Sequence, residues 1–193
     1  MVVPQGSLGS WKTRRIVGNM FPLLIVLSII VLWAGITLDD AEEMLEEFAI
    51  LAVMVPTMVD MGGNLGAILS SRLSTQVHLG TANFDPRDKI LQANIIAILG
   101  LAGTVFTALA IGAWIIGQVI GSTLTLVELL IIALVSGYAV AVIAVIFSIS
   151  ATYVSFKLGI DPDDTTIPIV TNIVDVFGMV IFIFVAGYVV GFI

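Results

Sequence analysis

The sequence contains no cysteine and only one histidine, His78, among its 193 residues. Without cysteine there can be no disulfide and no thiolate metal site, and a single histidine excludes a multi-histidine site within one chain. Any metal ion handled here would therefore be held by oxygen ligands, which favour hard ions such as Mg²⁺, Ca²⁺ or Mn²⁺. No nucleophile–base pair and no motif such as HExxH occurs, so the sequence predicts no enzyme and no cofactor. The net charge of −7 does not suit nucleic-acid binding.

Charged residues are also scarce. They make up 11% of the chain, against about 25% in soluble domains, while hydrophobic residues make up 59% and the mean hydropathy is +1.17. This composition predicts an integral membrane protein with the lipid bilayer as its solvent. The apolar runs are far longer than the ten or so alternating residues of a transmembrane strand, so the predicted fold is all-α.

Five apolar runs are long enough to cross a bilayer as helices. We therefore predict a cytoplasmic N-terminal segment, residues 1–15, and a five-helix transmembrane domain, residues 16–193. A polar loop from Leu73 to about Asp88 separates the second span from the third. The predicted spans cover approximately 16–36, 48–71, 90–120, 128–156 and 166–193.

The distribution of charge predicts the orientation of these spans. All seven Lys and Arg residues fall before span one, between spans two and three, or between spans four and five. The other side carries six acids between Asp39 and Glu47, together with Glu128. Because positively charged loops remain in the cytoplasm, we expect the protein in the cell membrane with its N-terminus cytoplasmic and its C-terminus outside.

Two carboxylates lie within predicted spans. Asp175 is in the middle of the fifth span, and Asp60 is in the second, nearer its outer end. An ionised group inside the hydrocarbon costs roughly 2.5–3.5 kcal/mol or more, so such residues usually face a water-filled cavity or a bound cation. We predict that Asp175, Thr171, Asp60 and Asn64 contact a cation. The alternative for either aspartate is a hydrogen bond that only packs helices together.

The residues around these carboxylates suit a pathway wall. A proline inside a helix frees the carbonyl four residues before it, and free carbonyls with carboxylates are the ligands of a hard cation. Thr171, Asp175 and Gly178 share one helical face, and Gly62-Gly63 permits close approach or unwinding. The residues expected to line the pathway are Pro56, Gly62, Gly63, Pro168, Asn172 and Gly178.

Further acids flank the spans. The acidic cluster before span two would complement the dipole of a first helical turn, or attract cations to a pore mouth. The acidic residues before span five would cap the helix of that span, and Pro162 is suited to its first turn. The candidates for peripheral cation sites are Asp161, Asp163, Asp164, Glu43 and Glu47.

Two stretches resemble a known family. Gly63-Asn-Leu-Gly-Ala-Ile-Leu-Ser-Ser-Arg-Leu-Ser-Thr75 is similar to the second-span signature of MgtE-type magnesium transporters, particularly their eukaryotic solute-carrier relatives. Asp161-Pro-Asp-Asp, followed by Pro168-Ile-Val-Thr-Asn-Ile-Val-Asp175, resembles the motif that enters the fifth span of that family. The resemblance covers most of residues 16–193, and the two motifs together are fairly specific.

The resemblance implies a homodimer with its pore at the subunit interface, lined by spans two and five. It also implies that Asp175 from both subunits forms the central cation site. Thr171 and Asn172 match a threonine pair whose second member is replaced here. Gly66 stands where the eukaryotic branch has an acid, and Ile68 where bacterial members have glutamine, which bears on ion selectivity. Because the bacterial cytoplasmic sensor domains are absent from this sequence, we expect gating from elsewhere, such as a separate cytoplasmic regulatory protein.

The predicted function is therefore a channel or transporter for a divalent cation. Mg²⁺ leads the candidates, with Mn²⁺ and Ca²⁺ behind it. Two alternatives stay open. One is a sodium- or proton-coupled cation exchanger, and the other is a non-transporting membrane assembly subunit that scaffolds a partner.

Overall fold

The computed structural model describes residues 13–81, 83–160 and 162–192. Within these ranges the chain forms seven helices and no strand, which confirms the all-α prediction. Five of the helices are long and apolar enough to cross a membrane. The helices are α1 (Thr13–Ala34), α2 (Ile36–Asp39), α3 (Glu42–Glu47), α4 (Ala49–His78), α5 (Lys89–Ile120), α6 (Leu126–Leu158) and α7 (Pro162–Val190).

Helix α4 is longer than the sequence predicted. It continues about two turns past Ser71 and ends at His78, so the segment from Leu73 to His78 is helix and not part of a polar loop. The polar side chains there are satisfied within the helix: Thr75 Oγ1 donates to the carbonyl of Ser71 at 2.9 Å, and His78 Nδ1 lies 2.9 Å from the carbonyl of Ser74. Leu73 is 2% exposed, so packing against the core extends the helix beyond the apolar run.

The acidic stretch also differs from the prediction. The acids do not form the first turn of the second long helix, because α2 and α3 are short helices separated from α4 by Phe48, whose φ of −114° and ψ of 71° are not helical. Glu43 and Glu47 are exposed on α3, while Met44 is buried. Burial of the apolar residues between the acids therefore holds this segment against the bundle.

The ends of the middle helices follow from local hydrogen bonds. The Asp88 carboxylate accepts from two backbone N–H groups at 2.9 Å and starts α5. Thr125 and Glu128 form a capping box at the start of α6. Gly121 and Gly159 end α5 and α6 with φ of 77° and 66°, in the left-handed region that glycine adopts without strain.

Helices α4, α6 and α7 share one core, with α5 packed on α4 and α6, and α1 on α7. Close contacts recur every four residues. A Cβ on Gly62 would lie 2.5 Å from Val140 and 3.0 Å from Val174, and a Cβ on Gly66 would lie 2.7 Å from Val170. Residue numbers rise from 62 to 66 along α4 while those of the contacting residues fall from 174 to 170 along α7, so these two helices are antiparallel. The glycines of α4 therefore let α7 approach its backbone closely.

Candidate cation site between helices α4 and α7

Asp175 lies directly against the backbone of α4. A Cβ on Gly63 would lie 3.2 Å from Asp175 Oδ1 and 3.8 Å from Thr171 Cβ. Any larger residue at position 63 would occupy the space beside the carboxylate. Glycine at this position thus allows a charged side chain of α7 to lie in the groove between the two helices.

A cavity of about 660 Å³ lies beside this contact. Helices α2, α3, α4 and α7 all contribute to its wall, and two carboxylates, Asp60 and Asp175, face it. Its volume equals that of about twenty waters in the liquid, at about 30 Å³ each, so it has room for a cation together with its water shell. The lining residues are Leu38, Leu45, Ala52, Val55, Pro56, Val59, Asp60, Gly63, Asn64, Thr171, Asp175 and Met179.

Two side chains of α4 that line the cavity, Asp60 and Asn64, are hydrogen-bonded to each other. Asn64 Nδ2 donates to Asp60 Oδ2 at 3.0 Å, across one turn of α4. An ionised carboxylate has about four lone-pair sites, so this bond orients Asp60 and leaves it capacity to bind a cation. Both side chains are exposed on the surface of the single chain.

Two more polar side chains bond to the backbone of α7. Thr171 Oγ1 donates to the carbonyls of Ile167 and Pro168, at 3.0 and 3.2 Å. Asn172 Nδ2 donates to the Pro168 carbonyl at 2.8 Å. The threonine hydroxyl uses its proton in these bonds, so its oxygen lone pairs are directed elsewhere and can face the cavity that Thr171 lines.

Pro56 removes a backbone hydrogen-bond donor from the part of α4 that lines the cavity. A proline at position 56 has no N–H to donate to the carbonyl of Ala52, and Ala52 and Pro56 both line the cavity. In lipid, a carbonyl without its helical donor is tolerated only where protein or water satisfies it. The proline thus removes one helical hydrogen bond from the part of α4 that lines the cavity.

The structure brings six of the residues expected at the site to one cavity, and places four others elsewhere. Gly62 packs against Val140 and Val174, and Gly178 packs against Val140 and Val59. The two remaining residues, Pro168 and Asn172, are partly buried on α7 and are not among the residues that line the cavity. The six that share the cavity wall are Pro56, Asp60, Gly63, Asn64, Thr171 and Asp175.

The peripheral acids are placed as follows. Glu43 and Glu47 are exposed on α3, close in sequence to the lining residue Leu45. Asp161 lies outside the residues that the structure describes, as do the side chains of Asp163 and Asp164, although α7 does begin at Pro162. In the described part of the chain, no group of three or more His, Cys, Asp or Glu side chains gathers to hold a metal ion.

Sequence reasoning missed the apolar part of the lining. Val59 and Met179 lie on the same helical faces as Gly63 and Asp175, at spacings of four residues, and this period was available in the sequence. Leu38 and Leu45 come from the acid-rich stretch. These two residues could have been predicted from the apolar residues that recur between the acids, a pattern typical of short amphipathic helices.

Long apolar helices define a polytopic membrane protein, and a carboxylate-bearing cavity between them is typical of proteins that transport ions. Residues 55–185 match the sequence model of the MgtE family, described as a divalent cation transporter. Because the match covers more than half of the chain, the protein belongs to the MgtE family, which is a family of transporters and not of enzymes. No solved structure gives a significant match to this chain.

Proposed function

We propose that this protein conducts Mg²⁺ across the cell membrane through a pore between two copies of the chain, lined by α4 and α7. The observation that carries the proposal is the cavity shared by Asp60 and Asp175. Two carboxylates at membrane depth provide negative charge for a divalent cation, and the family supports a divalent cation as cargo.

The two carboxylates lie at nearly the same level along the proposed route. Asp60 lies about 17 Å along the axis from the start of α4, and Asp175 about 20 Å from the start of α7, at 1.5 Å per residue. With the N-terminus in the cytoplasm, as the Lys and Arg distribution favours, α4 would begin outside and α7 inside. Because Gly62 packs on Val174, the level of Asp175 differs from that of Asp60 by only about one residue, or about 1.5 Å. An ion entering from outside would therefore meet both carboxylates together.

Exposure of polar groups favours a second copy of the chain. Pro56, Asp60 and Asn64 recur every four residues on an exposed stripe of α4. A carboxylate on that stripe would face lipid if the chain were alone, which is costly. A second copy packed on this face would enclose the cavity and add its own Asp175.

The chemistry of the site suits a hydrated ion. Mg²⁺ dehydrates reluctantly and usually binds proteins through one or two carboxylates while it keeps several waters. One chain offers two carboxylates, an amide and a hydroxyl around a cavity far larger than a bare ion. An ion held by Asp175 from both subunits would keep most of its water shell and still be able to leave.

Uptake of Mg²⁺ into proteoliposomes tests the proposal. With no Na⁺ or pH gradient, purified protein should admit Mg²⁺, and an inside-negative potential should increase uptake, since 100 mV is worth about 2.3 kcal/mol per charge. Uptake that requires a Na⁺ or H⁺ gradient would instead indicate a coupled exchanger. No uptake under any of these gradients would indicate the non-transporting subunit.

Asp60 should matter less than Asp175. We expect Asp60→Asn to slow Mg²⁺ uptake by about two- to tenfold, where each 1.4 kcal/mol of lost binding is tenfold. Asp60 is exposed and already bonded to Asn64, whereas Asp175 is partly buried against α4. Asp85→Asn, in the exposed loop between α4 and α5, is the matched control and should leave uptake unchanged. An Asp60→Asn protein with the rate of the wild type would remove Asp60 from the route.

A further inference from the structure

A layer of buried hydroxyl side chains lies within the core, away from the cation cavity. It consists of Ser70 and Ser74 on α4, Ser148 and Thr152 on α6, and Thr166 on α7. The exposed fraction is 1% for Ser74 and 0% for the other four. This hydroxyl layer combines three helices and contains no charged group.

The four-residue register of the core brings these residues together. Gly66 packs against Ala144 on α6 and against Val170 on α7. One turn further on, the same faces carry Ser70, Ser148 and Thr166. The bond from Ser70 Oγ to Ser148 Oγ, 3.1 Å, confirms this register between α4 and α6. Ser74 on α4 and Thr152 on α6 follow one further turn on. The hydroxyl layer is thus two turns deep and comes directly after the two turns that contain glycine.

Part of the layer forms a chain of hydrogen bonds. Ser70 Oγ donates to Ser148 Oγ, which in turn donates to the carbonyl of Gly66 at 3.1 Å. Two threonines are different: among the groups that the structure describes, Thr152 Oγ1 and Thr166 Oγ1 have no hydrogen-bond partner. The third such hydroxyl, Ser136 Oγ, lies about three turns away along α6, outside the layer.

Several threonines of the bundle satisfy their hydroxyls within their own helix. Thr107 Oγ1 donates to the carbonyl of Gly103 at 2.6 Å, and Thr75 Oγ1 to that of Ser71 at 2.9 Å. Thr152 and Thr166 do not make this bond, although both are helical. A buried hydroxyl without a partner is unfavourable, and a site with several polar groups close together is where proteins hold internal water.

We propose that the hydroxyl layer binds ordered water, which accepts hydrogen bonds from Thr152 and Thr166 and links α6 and α7 to α4. Water fits better than a monovalent cation, since a cation can bind the hydroxyl oxygens but cannot accept their protons. This water site is separate from the cation cavity and does not rest on the proposed transport function.

The sign of a stability change tests the proposal. Valine has the shape of threonine without the hydroxyl. If Thr166 binds water, Thr166→Val should lower the melting temperature of the full-length protein in detergent by about 2–6 °C. If the hydroxyl has no partner, removing it should leave the melting temperature equal or raise it, and that result would overturn the proposal. Thr107→Val, which loses a bond within one helix, is the matched control and should change it less.

A second measurement detects the water itself. Hydroxyl-radical labelling after X-ray exposure marks buried side chains next to bound water. Val170, one turn from Thr166 and 0% exposed, should be labelled in the wild type and lose its label in Thr166→Val, while the equally buried Ile132 should stay unlabelled in both. No label on Val170 in the wild type would contradict the proposal. A cation at the site would also contradict the proposal. It would show as a melting temperature that rises with NaCl but not with choline chloride in the wild type, and with neither salt in Thr166→Val.

Discussion

Replacing Asp175 with asparagine should reduce Mg²⁺ uptake into proteoliposomes by at least about tenfold, the effect of 1.4 kcal/mol of lost ion binding. Asparagine keeps the shape of the side chain and removes its charge. Asp175 faces the cavity and contacts the Gly63 position, so the substitution changes the charge at the narrow contact between α4 and α7 while the helices can pack as before.

Controls separate a transport role from a structural one. If Asp175 binds the ion, Asp175→Asn should keep the melting temperature of the wild type, whereas a carboxylate that only packs helices should lower it when replaced. Asp175→Glu keeps the charge but adds a methylene beside Gly63, and we expect uptake between the wild type and the asparagine variant. Uptake by Asp175→Asn at the full rate would end the assignment of Asp175 as the central site.

Gly62→Ala should destabilise the protein strongly for so small a change, by about 1–3 kcal/mol, the range for overpacked cores. The new methyl group would lie 2.5 Å from Val140 and 3.0 Å from Val174, on two different helices. Both valines are fully buried, and β-branched side chains have few alternative rotamers. Helices α6 and α7 would therefore have to move away from α4.

The matched control for this change is Gly112→Ala on α5. A Cβ at position 112 meets nothing within 4 Å, so alanine should stabilise the helix by up to about 1 kcal/mol through its better helix propensity. The two substitutions are chemically the same and should shift the melting temperature in opposite directions. Equal shifts would mean that close packing at Gly62 does not hold the bundle together.

Much of the fold could be predicted from the sequence because the bilayer imposes a simple rule. A run of about 20 apolar residues must form a helix, so five spans follow from hydropathy alone. The ends of the helices were harder to predict. Helix α4 continues to His78 because Leu73 packs on the core and Thr75 bonds to its own helix. Neither interaction can be read from local hydropathy.

The site was predicted in part for a related reason. Charge at membrane depth singled out Asp60 and Asp175, and both line the cavity. The period of a helix predicts an apolar face about 100° wide, but it does not predict which edge of that face contacts which neighbouring helix. Viewed down the axis of α7, Gly178 and Met179 lie to either side of Asp175. Only Met179 lines the cavity, while Gly178 faces Val140 on α6. That choice depends on the packing of three helices.

The four-residue register between α4 and α7 also limits how this protein can change shape. Val174 and Val170 occupy the notches at Gly62 and Gly66, and positions between notches would place valine methyl groups against larger side chains. A shift of one repeat, about 6 Å at 1.5 Å per residue, would set a valine against Met58 or Ser70, which are both larger than glycine. Sliding of α7 along α4 is therefore opposed in both directions, and the two notches hold the Asp175 carboxylate at one level of α4.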